Sequence, residues 1–209
     1  MKIAKLIQAA AVSALCVTGA ASAATNLITN GDFETYTVGV PNGGFTTVGA
    51  GSNAITGWTV AGASVDLIKN NYGSVNGTSI DMLGTPGPGS VAQQFSYAAN
   101  TTYTLTFDLS RNPGAGASYT GIDVSVNGSH TSFIGTSPTS PYSLTFTTGA
   151  SAGSQWLTFS SVGGDVYSGA VLDNVAIKAV PEPETYAMML GGLGLLGFMA
   201  RRRKAAAAK

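Results

Sequence analysis

Residues 103–109 read Tyr103-Thr104-Leu105-Thr106-Phe107-Asp108-Leu109, with apolar and polar side chains alternating without a break. Successive side chains of a strand point to opposite faces, so this period of two describes a ribbon with one face buried and one wet. The same alternation recurs at Ile122, Val124 and Val126 around Asp123 and Ser125, at Leu144 and Phe146 around Thr145, and at Leu157 and Phe159 around Thr158. Turn sequences separate the runs: Asn30-Gly31, Asn42-Gly43-Gly44, Asn76-Gly77, Pro86-Gly87-Pro88-Gly89, Asn112-Pro113-Gly114, Asn127-Gly128 and Gly163-Gly164. No stretch between residues 24 and 180 shows helical periodicity. Many short strands punctuated in this way predict an all-β sandwich. Trp58 reads as a core residue, and the Gly- and Thr-rich residues 36–53 read as a long loop.

Composition agrees. Of 209 residues, 45 are Ser or Thr and 28 are Gly, a mixture poor for helices and good for strands joined by tight turns. Charged residues are only 10% of the chain, and the formal net charge is zero. That zero conceals a division. Residues 24–180 hold eight acids and three bases (Lys69, Arg111 and Lys178), a net of −5, so the other seven bases all lie outside them. A mildly acidic body disfavours nucleic acid as a partner. One His and one Cys cannot build a His/Cys zinc site.

The N-terminus has the order of an export signal: Lys2 and Lys5, an apolar stretch over residues 6–17, then Ala21-Ser22-Ala23. Signal peptidase is expected to cut before Ala24, which defines residues 1–23 as signal peptide. Leu15 stands where a lipobox needs a small residue, so Cys16 is not read as a lipid attachment site. Cys16 leaves with the signal, and the mature chain then has no cysteine. An exported protein without disulfides depends on its core or on a metal.

Residues 181–209 have a different chemistry. Pro181-Glu182-Pro183 precedes an apolar run over residues 186–200, which ends at Arg201-Arg202-Arg203-Lys204. Fifteen helical residues cover about 23 Å, short of a hydrocarbon core of about 30 Å. Flanking residues and snorkelling arginines would make up part of the difference, giving a short transmembrane helix with its basic end in the cytoplasm. This ordered set resembles the PEP-CTERM sorting signal. The resemblance implies a Gram-negative bacterium that makes exopolysaccharide. It also implies an inner-membrane intermediate, cutting by an exosortase near Pro181, Glu182 and Pro183, and transfer of the body to the cell surface or extracellular matrix.

The body, residues 24–180, opens with Asn26-Leu-Ile-Thr-Asn-Gly-Asp-Phe-Glu34 and closes with Gly169-Ala-Val-Leu-Asp-Asn-Val-Ala-Ile177. With Gly57-Trp58-Thr59-Val60 and Ser64-Val65-Asp66-Leu67-Ile68, these ends resemble the choice-of-anchor C group of jelly-roll domains on exported proteins. More distantly the body resembles plant cell-wall domains of unknown biochemical role and jelly-roll carbohydrate-binding modules. The resemblance implies a galactose-binding-like β-sandwich. It also implies a structural calcium where the first and last strands meet, held by Glu34 and Asp173. Calcium is hard and accepts carboxylates beside backbone carbonyls.

Aromatic faces stack on sugar rings through their quadrupole. Trp156 alternates away from Leu157 and Phe159, and Tyr72, Tyr119, Tyr142 and Tyr167 sit near loop-like sequence, which makes these five the candidate glycan contacts. Enzymatic readings are poor. His130 is the only histidine, no Gly-x-Ser-x-Gly elbow is present, and Asp66, Asp81, Asp108 and Asp123 all read as wet-face strand residues rather than a glycosidase pair. Two functions therefore stand at this point. One is a non-catalytic module binding extracellular polysaccharide. The other is a structural matrix protein that associates with itself or with other proteins.

Overall fold

The computed structural model describes residues 24–116, 119–165, 167–181 and 183–207. The expected signal peptide and Glu182 lie outside the described residues. Residues Ala24–Val180 form one compact unit. It contains the strands β1 (Phe45–Gly49), β2 (Thr59–Gly62), β3 (Ser64–Lys69), β4 (Thr78–Asp81), β5 (Gly89–Tyr97), β6 (Thr102–Arg111), β7 (Thr120–Val126), β8 (Ser129–Ile134), β9 (Ser140–Thr147), β10 (Gly153–Gly163) and β11 (Ala170–Ala179). A 3₁₀ turn, Pro113–Ala115, is capped by Asn112, whose Oδ1 accepts from Gly114 N at 2.9 Å.

The strands form two antiparallel sheets in a jelly-roll sandwich. One sheet runs β1-β3-β4-β11-β6-β9 and the other β2-β5-β10-β7-β8. The alternating positions of the sequence supply the core between them: Leu105, Phe107 and Leu109 from β6, Ile122, Val124 and Val126 from β7, and Leu157 and Phe159 from β10 are all buried. Trp58 is fully buried, stacked at a tilt against Phe33 and Phe159, with its indole N–H donated to Asn30 O at 3.0 Å. Among the described residues every member of the core cluster lies within Ala24–Val180, so this unit carries its own hydrophobic core, the mark of a domain that folds by itself.

The opening segment is tied to the closing strand. Leu27 N donates to Ile177 O, Val175 N donates to Gly31 O, and Asn26 Oδ1 accepts from Ile177 N. Buried Gln93 clasps Thr29 on both sides, accepting from its N–H at 2.7 Å and donating to its carbonyl at 2.9 Å. Gly31 is needed here because a Cβ would overlap the Val175 carbonyl. The Asn-Gly-Asp-Phe-Glu sequence is thus a seam: Asn30 turns in the left-handed region, Gly31 allows close approach, and Phe33 enters the core.

Two expectations are corrected. Residues 36–53 are not wholly loop, since they hold the edge strand β1, paired in register with β3. Asp66 and Asp81 are not wet-face residues; they lie opposite each other in β3 and β4 and both are buried. The reason is that connections fold over the outer face of the six-stranded sheet, with Asn112 and the Gly169 N–H closing on Asp81. Residues 70–77 reach back so that Gly73 O accepts from the Ser110 hydroxyl in β6, and residues 82–88 bring Gly87 O to Ser64 Oγ and Thr85 to Asp66. Strand alternation locates a face; it does not reveal what a loop lays over that face.

Separately, α1 (Pro183–Ala207) is a single helix of 25 residues. Proline at its first position is favourable, because the missing N–H would have no partner there. Among the described residues no helix is long and apolar enough to cross a membrane. The expected transmembrane segment is therefore not found. The apolar run of α1 contains Gly191, Gly192, Gly194 and Gly197 and stops at four consecutive bases, leaving fewer apolar residues than a span requires.

Candidate functional site

The outer face of the five-stranded sheet is set by register. Trp156 in β10 lies opposite Gln94 in β5. Next to it runs a row of Ala92, Thr158, Ser125 and His130, and beyond that a row of Ser90, Ser160, Asp123 and Ser132. Trp156 is 52% exposed, unusual for so large an apolar side chain in mid-strand. Its neighbours Leu157 and Phe159 point inward and are fully buried, so the backbone of β10 is rigidly placed and presents the indole outward. Gln94 Nε2 donates to Ser154 Oγ at 3.3 Å beside it. The result is one aromatic plate within a field of hydroxyls and an amide, groups that can both donate and accept.

The tyrosines are dispersed. Tyr142 is half-buried on the inward side of β9. It packs against Phe107 and Phe133, and its hydroxyl donates to Ile134 O at 2.8 Å. Tyr119 and Tyr167 are both exposed and belong to neighbouring connections, where Tyr119 O accepts from Gly164 N and Asp165 Oδ1 accepts from Tyr167 N and Ser168 N. Tyr72 sits at the opposite sheet edge, edge-to-face with Phe45 at 5.8 Å. Phe45 is 45% exposed and was not anticipated, because a lone Phe after Asn-Gly-Gly gives no outward signal until the β1 register is known. Tyr72 and Asn70 both take positive φ, and Asn71 and Asn70 donate to Gly43 O and Asn42 Oδ1 respectively, which pins this loop to the turn that precedes β1.

Glu34 and Asp173 approach the same turn from opposite ends of the body. Glu34 Oε1 accepts from Thr78 N at 2.6 Å, and Asp173 Oδ2 accepts from Ser79 Oγ at 2.8 Å. Asp173 also accepts from Asn174 N and from the Asn76 backbone. Burial pushes the Asp173 carboxyl up to about 7 despite these bonds, with Asp108 adding to the rise. Among the described residues there is no group of three or more His, Cys, Asp or Glu side chains that could hold a metal. Calcium takes six to eight oxygens, so backbone carbonyls would have to supply most of its ligands here.

His130, Asp123 and Ser125 meet on the Trp156 face. His130 Nδ1 lies 2.8 Å from Asp123 Oδ1, and its Nε2 lies 3.4 Å from Ser125 Oγ. This is the connectivity of a hydrolase triad. The surroundings are not those of one. The His130 side chain is 68% exposed, and β7 is paired on both edges, so its N–H groups are committed to neighbouring strands rather than gathered at an oxyanion position. Of the sorting residues, Pro181 is exposed, Pro183 begins α1, Arg201 is exposed, and Arg202, Arg203 and Lys204 continue the helix.

Comparison with known proteins places these features. A family model described as "Protein of unknown function (DUF642)" matches residues 26–178. A second, described as "PEP-CTERM protein-sorting motif", matches residues 179–204. No curated protein matches the chain. Among solved structures, one described as "CBM4 structure and function" is similar at TM-score 0.44 and 17% identity, covering 73% of this chain and 99% of that one. TmCBM61 in complex with beta-1,4-galactotriose is similar at TM-score 0.41 and 12% identity, over 75% of this chain and 99% of that one. A family 35 carbohydrate binding module from Clostridium thermocellum is similar at TM-score 0.39 and 10% identity, over 63% of this chain and 97% of that one.

Proposed function

The chain belongs to the family described as protein of unknown function (DUF642), carries a PEP-CTERM sorting motif that implies export and exosortase processing, and from these premises we propose that it is a non-catalytic surface protein that binds extracellular polysaccharide. In this reading residues 1–23 are removed by signal peptidase. Residues 181–209 act as the sorting signal, read at the inner membrane of a Gram-negative cell. Exosortase then delivers residues 24–180 to the cell surface or matrix.

The observation that supports binding is Trp156, half exposed on a rigid strand and framed by Gln94, Thr158 and Ser154. A pyranose ring would stack on the indole while its hydroxyls bond to these side chains. Binding of residues 24–180 to a glycan panel that includes the host's exopolysaccharide is expected to saturate. Trp156→Ala is expected to weaken it about tenfold while leaving the melting temperature unchanged, because the ring makes no core contact. Equal binding by the variant would remove Trp156 from the reading. No binding by wild type, together with concentration-dependent self-association, would replace it with a structural matrix role.

The same reading includes a structural cation. Calcium at Glu34 and Asp173 would join the opening segment to the closing strand, with carbonyls completing its shell. A site filled to about 100 times its Kd adds roughly 2.7 kcal/mol, so EDTA is then expected to lower the melting temperature by about 5–10 °C. An unchanged melt removes the ion.

A further inference from the structure

We infer that the Trp156 face takes an uncharged polysaccharide and rejects one bearing carboxylate, sulfate or phosphate groups, an inference that rests on the glycan-binding reading above. The argument is the distribution of cations. The body has three, and each belongs to a strand of the other sheet: Lys69 in β3, Arg111 in β6 and Lys178 in β11. None of β2, β5, β7, β8 and β10 contains a lysine or arginine. Two of the three cations have partners where they stand. Lys69 Nζ donates to Tyr36 OH at 3.2 Å and lies 5.9 Å from the Tyr36 ring centre, and Arg111 donates to Gly116 O.

Recognition of an anionic polymer relies on charge-assisted bonds, above all the two-pronged bond of arginine to a carboxylate or sulfate. The Trp156 face offers no lysine or arginine, and its one histidine, His130, already stands 2.8 Å from the Asp123 carboxylate. Its one carboxylate, Asp123, is 27% exposed in the second row from the indole and would repel an anionic chain laid along the face. The body's net charge of −5 adds a repulsive field at longer range. What the face does offer suits sugar hydroxyls: Gln94, Ser154, Thr158, Ser160, Ser125 and Ser132, arranged at strand spacing beside a single stacking plate.

The test pairs each polymer with its own charged form. Residues 24–180 are titrated against β-glucan, galactan and mannan and against the same polymers oxidised at C6 to the uronate, at low and high salt, with Trp156→Ala alongside. The expected result is binding of at least one uncharged polymer, an affinity that does not change with salt, and loss of at least about tenfold for its oxidised form. Ser160→Lys, which adds a cation to this face, is expected to recover part of the binding to the oxidised form. Tighter binding of the oxidised form, weakening with salt and lost in Trp156→Ala, would overturn the ligand class while keeping the face as a glycan site. Binding to neither form, or binding indifferent to Trp156, would overturn both readings.

Discussion

Phe107→Ala is expected to cost about 3–5 kcal/mol, the range for deleting a buried phenylalanine ring. Phe107 is 1% exposed and joins the two sheets. From β6 its ring meets Phe133 of β8 at 5.1 Å and Phe159 of β10 at 5.4 Å, both edge-on, and stacks on Tyr142 of β9 at 5.8 Å. All three of these neighbours are aromatic rings, which are too stiff to collapse fully into the space left behind. A domain of this size has a total stability on the order of 5–15 kcal/mol, so the variant is expected to melt about 6–20 °C lower or to fail to accumulate folded. A urea titration of residues 24–180 checks this, and a loss below about 1 kcal/mol would mean that the aromatic cluster is not the mechanical centre of the sandwich. Trp156→Ala provides the contrast: an aromatic ring is removed in each variant, yet only the buried one should matter to stability.

The strands and their inward faces were legible because alternation needs only one chain segment. Residues 103–109 announced β6, and Asn127-Gly128 announced the β7–β8 hairpin, where both residues take positive φ. Trp156 was placed outward by the same logic, and its exposure agrees. What one segment does not contain is its covering. Asp66 and Asp81 alternate as wet residues do, but Thr85 closes over Asp66, and Leu83, Asn112 and Gly169 close over Asp81. Tyr142 lies in a strand that alternates clearly, yet it falls on the inward side, where Phe133 and Phe107 take it up. The meeting of His130 with Asp123 was equally hidden, since it depends on a diagonal across the β7–β8 hairpin. The distribution of cations was fully present in the sequence but had no meaning until the sheet order separated Lys69, Arg111 and Lys178 from Trp156.

Those buried aspartates carry the second large effect, a stability that falls as pH rises. Burial pushes Asp81 from 3.8 to about 7, opposed by bonds from Asn112 Nδ2 at 2.6 Å and from the Leu83 and Gly169 N–H groups, each at 3.0 Å; the facing Asp66 adds to the rise. Asp173 is pushed to a similar value. In the unfolded chain each carboxyl loses its proton near 3.8, while in the folded chain it keeps the proton up to about 7. The folded state therefore binds more protons between these values. The stabilisation is complete below the lower value and is lost as pH rises through the upper one. Each pKa unit corresponds to 1.36 kcal/mol, so each group contributes at most about 4 kcal/mol across the window. Melting residues 24–180 in EDTA is expected to give a temperature about 10 °C higher at pH 5 than at pH 8. Asp81→Asn should remove about half of that slope while lowering stability at pH 5, because its amide then meets the Asn112 amide donor to donor. A melting temperature that is flat or rising from pH 5 to pH 8 would show that these carboxyls are ionised in the folded state. Calcium separates the two groups. A cation at Asp173 favours the ionised form and would restore stability above pH 7 in wild type and in Asp81→Asn alike, whereas the Asp81 share of the slope lies beyond its reach.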